Sequence, residues 1–128
     1  MFRNDNKDPL AQLESEIQNV PDTHVTPTKA QLLAVKFNKL RATAARLMMD
    51  LKDQHGDFKA TSKLIKKRAY VESRAKTVEE RRLDRDCDES YLEAVKKEER
   101  LEAKIDYVHT LAEVCGNYHI YFRQIGGS

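Results

Sequence analysis

The sequence predicts an all-α protein: a long helical hairpin or coiled-coil bundle with a C-terminal oligomerisation helix. Three observations carry this. Between Thr28 and Gly116 there is one glycine, Gly56, and no proline, so little punctuates that stretch. Charged residues make up 34% of the chain and aromatic residues only 7%, which suits solvated helices with narrow seams better than a broad core. Apolar residues recur with an alternating spacing of three and four, the signature of helices that pack along a seam.

The N-terminal region, residues 1–26, reads as an arm and linker. Its segment "PLAQLESEIQNV" carries Leu10, Leu13 and Ile17 at helical spacing and can form a short docking helix. Thr26 is placed to cap the next helix, with Pro27 at its first position, where the missing N–H costs nothing. That helix is expected to run from Pro27 to His55 on a seam of Ala30, Leu33, Phe37, Leu40, Ala44, Leu47 and Leu51. Gly56 is expected to close it as a left-handed cap. A second helix, capped by Asp57 or Ser62, should then reach Arg85 on a poorer stripe of Leu64, Val71, Ala75 and Val78. Residues 27–86 thus read as a basic helical hairpin.

A third helix is expected from Asp88, an acceptable cap, to about Gln124, so that residues 87–125 form one long element. Tyr91, Ala94, Glu98, Leu101, Ile105, Val108, Ala112, Cys115, His119 and Phe122 keep the seam, which only Glu98 interrupts. A second stripe runs beside it: Tyr107, Leu111, Val114, Tyr118, Tyr121 and Ile125. Two adjacent stripes on one helix can bury one within the subunit and the other against another chain, so the second stripe, with Phe122, is the expected homo-oligomer interface. Residues 126–128, "GGS", read as an appended tail.

The formal net charge of +2 conceals a strong asymmetry. Residues 29–76 hold thirteen basic and four acidic groups, a net +9, whereas residues 77–106 hold seven and eleven, a net −4. Within the basic part, "SKLIKKRAYVESRAK" has six Lys or Arg among fifteen residues, one acid and a central tyrosine. On a helical wheel Lys59, Lys63, Lys66, Tyr70 and Arg74 fall within about 80° of one another, apart from the apolar stripe. A ring among cations suits single-stranded nucleic acid: cations neutralise phosphates, and stacking on an aromatic contributes about 1–3 kcal/mol per base. No helix-turn-helix, zinc spacing or aromatic sheet motif indicates base-specific reading. A solvated helix face with one amphipathic tyrosine would produce the same pattern.

Other chemistry finds little support. His24, His55, His109 and His119 are scattered, and His119 falls on the apolar seam, where packing explains it better than metal ligation. The run "DRDCDE" lacks the glycine and distant glutamate of a calcium loop, so neither a metal site nor a cofactor is expected. No nucleophile elbow or phosphate loop occurs, and no enzyme activity is expected. Cys87 and Cys115 lack any secretory or zinc context and read as reduced thiols of a cytoplasmic protein, or of the host cytoplasm for a viral one. No apolar run approaches the ~20 residues of a membrane span.

The stretch "YLEAVKKEERLEAKIDYVHTLAEVCGNYHIYFRQI", Tyr91 to Ile125, is similar to the C-terminal helix of bacteriophage recombination mediators of the UvsY type: charged coil leads into "KIDYVHTLAEVC" and then an aromatic-rich end. In that family a central basic motif runs into paired aromatics and a glycine; Lys66, Lys67, Arg68 and Tyr70 match it loosely, and no glycine follows. The resemblance implies a non-enzymatic accessory protein that binds single-stranded DNA as a homo-oligomer, in the form of a ring. It implies help in loading a RecA-type recombinase onto strands covered by single-strand-binding protein. Lys63, Lys66, Lys67, Arg68 and Arg74 would then hold phosphate, Tyr70 would stack, and the Tyr107–Ile125 stripe would close the ring. Two other classes fit the same sequence: a helical oligomeric adaptor or inhibitor that binds an acidic protein, and a structural phage assembly component.

Overall fold

The computed structural model describes residues 8–127. Four α-helices follow in chain order, and no strand occurs among the described residues: α1 (Pro9–Gln18), α2 (Pro27–Glu72), α3 (Val78–Asp86) and α4 (Glu89–Ile125). The all-α class expected from the sequence is the observed one. No helix among the described residues is long and apolar enough to cross a membrane. The described residues form two compact units, residues 8–49 with 106–127 and residues 50–105, so each draws on parts of α2 and α4.

The helix starts follow local chemistry. Asp8 caps α1 by accepting the Leu10 N–H at 3.1 Å, with Pro9 in the first turn. The Thr26 hydroxyl accepts the Lys29 N–H at 3.2 Å, as the sequence suggests. Asp88 accepts the Tyr91 N–H at 2.9 Å and sets the start of α4.

Gly56 does not end a helix. α2 continues through it for 46 residues, and the one residue with positive φ among those described is Gly127, at 79°. A mid-helix glycine costs only about 1 kcal/mol relative to alanine, which neighbouring turns and a continuing seam can absorb. That seam is Leu51, His55, Phe58, Ser62, Ile65 and Ala69, all buried or half-buried. The stripe expected from the sequence lies elsewhere: Leu64, Val71 and Val78 are exposed. The expected hairpin turn at Gly56 is therefore replaced by one uninterrupted helix, and the chain breaks instead at Ser73–Thr77.

Thr77 explains that break. Its side chain accepts the Glu80 N–H at 3.1 Å, with Glu79 and Glu80 in the first turn of α3, the arrangement of a helix start. The short helix is held back against the end of α2 by Ser73 Oγ donating to Asp84 at 2.6 Å and Arg81 Nε donating to the Ala75 carbonyl at 3.0 Å.

In the first unit, α1 and the following linker pack on α2 and α4. Leu13, Phe37, Val108, Cys115 and Phe122 are almost wholly buried, and Val25 of the linker joins them. Residues 8–26, the described part of the expected arm and linker, are thus packed; residues 1–7 lie outside the described residues. Phe37, Tyr118 and Phe122 form an aromatic cluster with centroid separations of 5.1, 5.9 and 6.0 Å. His119 Nδ1 lies 2.8 Å from the Ala34 carbonyl; because a carbonyl only accepts, the ring donates from Nδ1. Gly126 is buried, and the Gln31 side chain donates to its carbonyl at 2.9 Å. A Cβ there would stand 2.7 Å from Gln31 Cγ, so Gly126 belongs to the fold rather than to an appended tail.

The second unit has a thinner interior, in which Leu51, Ser62 and Ala94 are the buried positions. His55 faces Glu98 and Glu102, Lys97 lies 6.0 Å from the centre of the Phe58 ring, and Lys66 lies 6.0 Å from that of Tyr91. The α2 and α4 segments of this unit therefore run antiparallel.

Candidate nucleic-acid interface

The return of α3 toward the end of α2 creates an open groove of about 370 Å³, lined by Lys63, Lys66, Lys67, Tyr70, Arg82 and Arg85. Lys63, Lys66, Lys67 and Tyr70 occupy successive turns of α2, a consequence of their spacing of three and four. Arg82 and Arg85 are three apart on α3 and present a second row of cations. Tyr70 is half-buried, whereas the three lysines and Arg82 are exposed.

The groove is cationic because its charges are little compensated. Among the described residues, Lys63, Lys66, Lys67 and Arg82 have no carboxylate within ion-pair distance, and Arg85 alone is paired, with Asp86 at 2.9 Å. Exposed cations without partners exchange their counterions readily for phosphate. Tyr91 extends the aromatic character, since the Lys66 ammonium lies over its ring at the outer limit of a cation–π contact.

The structure brings four of the seven basic-strip residues together. Lys59 and Arg68 are exposed on α2 but do not line the groove. Arg74 lies in the Ser73–Thr77 break, so the helical wheel that aligned it with Lys63 and Tyr70 does not apply there. Arg82 and Arg85 were missed because a helix continuing past Thr77 would carry them away from the strip. The signal was present in "TVEE", a capping sequence that restarts the chain in a new direction.

The stripe expected to form an oligomer interface divides in two. Leu111 and Phe122 are buried within the chain's own first unit, which corrects their assignment to a surface. Val114, Tyr118 and Ile125 are half-buried, and Tyr118, Tyr121 and Ile125 share a cleft with Ile17, Val20, Pro21 and Val25. The N-terminal segment thus shields part of what the sequence left uncovered. Tyr107 and Tyr121 stay exposed, and the Tyr107 hydroxyl donates to Glu14 of α1 at 2.6 Å. This bond, then partial burial and the carboxylate charge, hold the Tyr107 phenol above its ordinary pKa.

Comparison with known proteins returns no family model, no curated protein and no solved structure that matches this chain.

Proposed function

We propose that this chain is a non-enzymatic accessory protein that binds single-stranded DNA, a recombination mediator that assists loading of a RecA-type recombinase. The observation that carries the binding step is the groove in which five cations from two helices surround Tyr70. Phosphates would follow the two cationic rows while a base stacks on the ring, giving contact to the backbone and to any base alike. The recombinase and single-strand-binding-protein partners rest on the resemblance of Tyr91–Ile125 alone. Self-association in this reading would use Tyr107, Tyr121 and their exposed neighbour Ile120.

Fluorescence anisotropy with a labelled 30-nucleotide single strand tests the binding step. Engagement of four to five cations predicts a salt slope of about −3 to −3.5, hence a loss of roughly a hundredfold in affinity between 50 and 200 mM salt. Lys66→Glu and Arg82→Glu should each weaken binding at least tenfold by placing an acid among the cations, whereas Lys39→Glu in the other unit should not. Failure of the wild-type chain to bind, with retained affinity for an acidic polypeptide, would favour the adaptor reading. Light scattering at the same two salt concentrations measures the oligomer, and a monomer would remove the ring.

A further inference from the structure

We infer that His55, Glu98 and Glu102 form a binding site for a divalent transition-metal ion, with Zn²⁺ as the representative ligand. His55 lies on α2, and Glu98 and Glu102 are one turn apart on α4, all within the second unit. Their ligand atoms lie within 4.8 Å of one another; His55 Nε2 is 3.1 Å from Glu102 Oε1 and 3.7 Å from Glu98 Oε1. Zinc bonds of about 2.0–2.2 Å in a tetrahedron require ligand atoms about 3.3–3.6 Å apart; the two His55 separations lie on either side of that edge, and the two glutamate oxygens are within 4.8 Å of each other. Three protein ligands then leave a fourth position to water.

Charge argues the same way. Among the described residues neither glutamate has a Lys or Arg within ion-pair distance. Two carboxylates against one imidazole leave at least one negative charge uncompensated, whichever form the ring takes. A dication neutralises the cluster fully. His55 and Glu98 are also half-buried seam positions, where apolar residues would ordinarily meet, and Glu98 is the one interruption in the seam of α4. An imidazole nitrogen with two carboxylate oxygens suits Zn²⁺, Co²⁺ or Ni²⁺ and excludes the all-oxygen preference of Mg²⁺ and Ca²⁺. The sequence displays no motif because His55 is more than forty residues from either glutamate.

Isothermal titration of Zn²⁺ into the chelator-treated, reduced full chain should show one site per chain, with affinity in the micromolar range or tighter, undiminished by millimolar Mg²⁺. His55→Ala and Glu102→Gln should each weaken it at least tenfold. Glu102 is the most exposed of the three, so its variant keeps the fold, which circular dichroism verifies. His109→Ala removes the exposed His109–Glu113 pair, and Cys87→Ser the exposed thiol; neither should alter binding. Co²⁺ should give the visible absorption of nitrogen and oxygen ligation without a thiolate charge-transfer band. Absence of a single site, its survival in His55→Ala, or its loss in Cys87→Ser overturns the assignment.

Discussion

The two units of this chain use the same pair of helices for opposite purposes. In residues 8–49 and 106–127, α1, α2 and α4 close over Leu13, Phe37, Val108, Cys115 and Phe122, and His119 is joined to the Ala34 carbonyl. In residues 50–105 the same helices meet through His55, Phe58, Ser62, Glu98 and Leu101, and the buried Ser62 hydroxyl has no hydrogen-bond partner among the described residues. Aromatic stacking and apolar burial stabilise the first; the second gives up apolar contact for charge. The groove of Lys63, Lys66, Lys67, Tyr70, Arg82 and Arg85 and the His55, Glu98, Glu102 cluster both belong to the second. Apolar burial is thus concentrated in one unit, and the clustered charged side chains of both proposals lie in the other.

Paired truncations should expose this difference most strongly. Phe122→Ala removes a ring that is 1% exposed and stacks on Phe37 and Tyr118, so it should cost about 3–5 kcal/mol in chemical denaturation. Phe58→Ala removes a half-buried ring and should cost only about 1.5–2.5 kcal/mol, near half the value of full burial. Equal costs would mean that the second unit is as tightly packed as the first.

A smaller effect, of opposite sign, distinguishes the observed α2 from the hairpin the sequence suggests. A Cβ at Gly56 meets nothing within 4 Å, and the residue lies exposed inside the helix. Gly56→Ala should therefore stabilise the chain by about 0.5–1 kcal/mol, through helix propensity and a less flexible unfolded state. Were Gly56 a left-handed cap, alanine there would be destabilising. A thermal shift measures the sign directly.

The same position shows where sequence reasoning held and where it failed. The starts of α2 and α4 and the seam from Tyr91 to Phe122 could be read directly, because capping side chains and apolar spacing act locally. The continuation of α2 was harder to see: its seam passes through His55 and Ser62, which carry no apolar signal, and two spacings of four in succession, Leu47 to Leu51 to His55, interrupt the alternation. Four of the six residues that line the groove, Lys63, Lys66, Lys67 and Tyr70, could be grouped from the sequence because they share one helix face. Arg82 and Arg85 could not be placed without the turn at Ser73–Thr77, and the covering of Tyr118 and Ile125 by the N-terminal segment is a tertiary fact.

The two cysteines give the finest measure of the contrast. Cys115 lies in the closed interior of the first unit, where burial raises its thiol pKa, whereas Cys87 is exposed at the end of α3. Only the thiolate attacks a disulfide reagent, so native protein should show one rapidly reacting thiol, lost in Cys87→Ser, and one that reacts only on opening of the core. The raised value also fixes a direction with pH. The folded state holds the Cys115 proton more tightly than the unfolded chain does, so this group's contribution is fully present below the ordinary thiol pKa of about 8.5 and is lost as pH rises through the higher folded value. Protection of Cys115 should therefore weaken in alkaline solution faster than thiolate formation alone would require. Comparable rates for the two thiols at neutral pH would show that Cys115 is not shielded by a closed interior, and the packing contrast between the two units would fail.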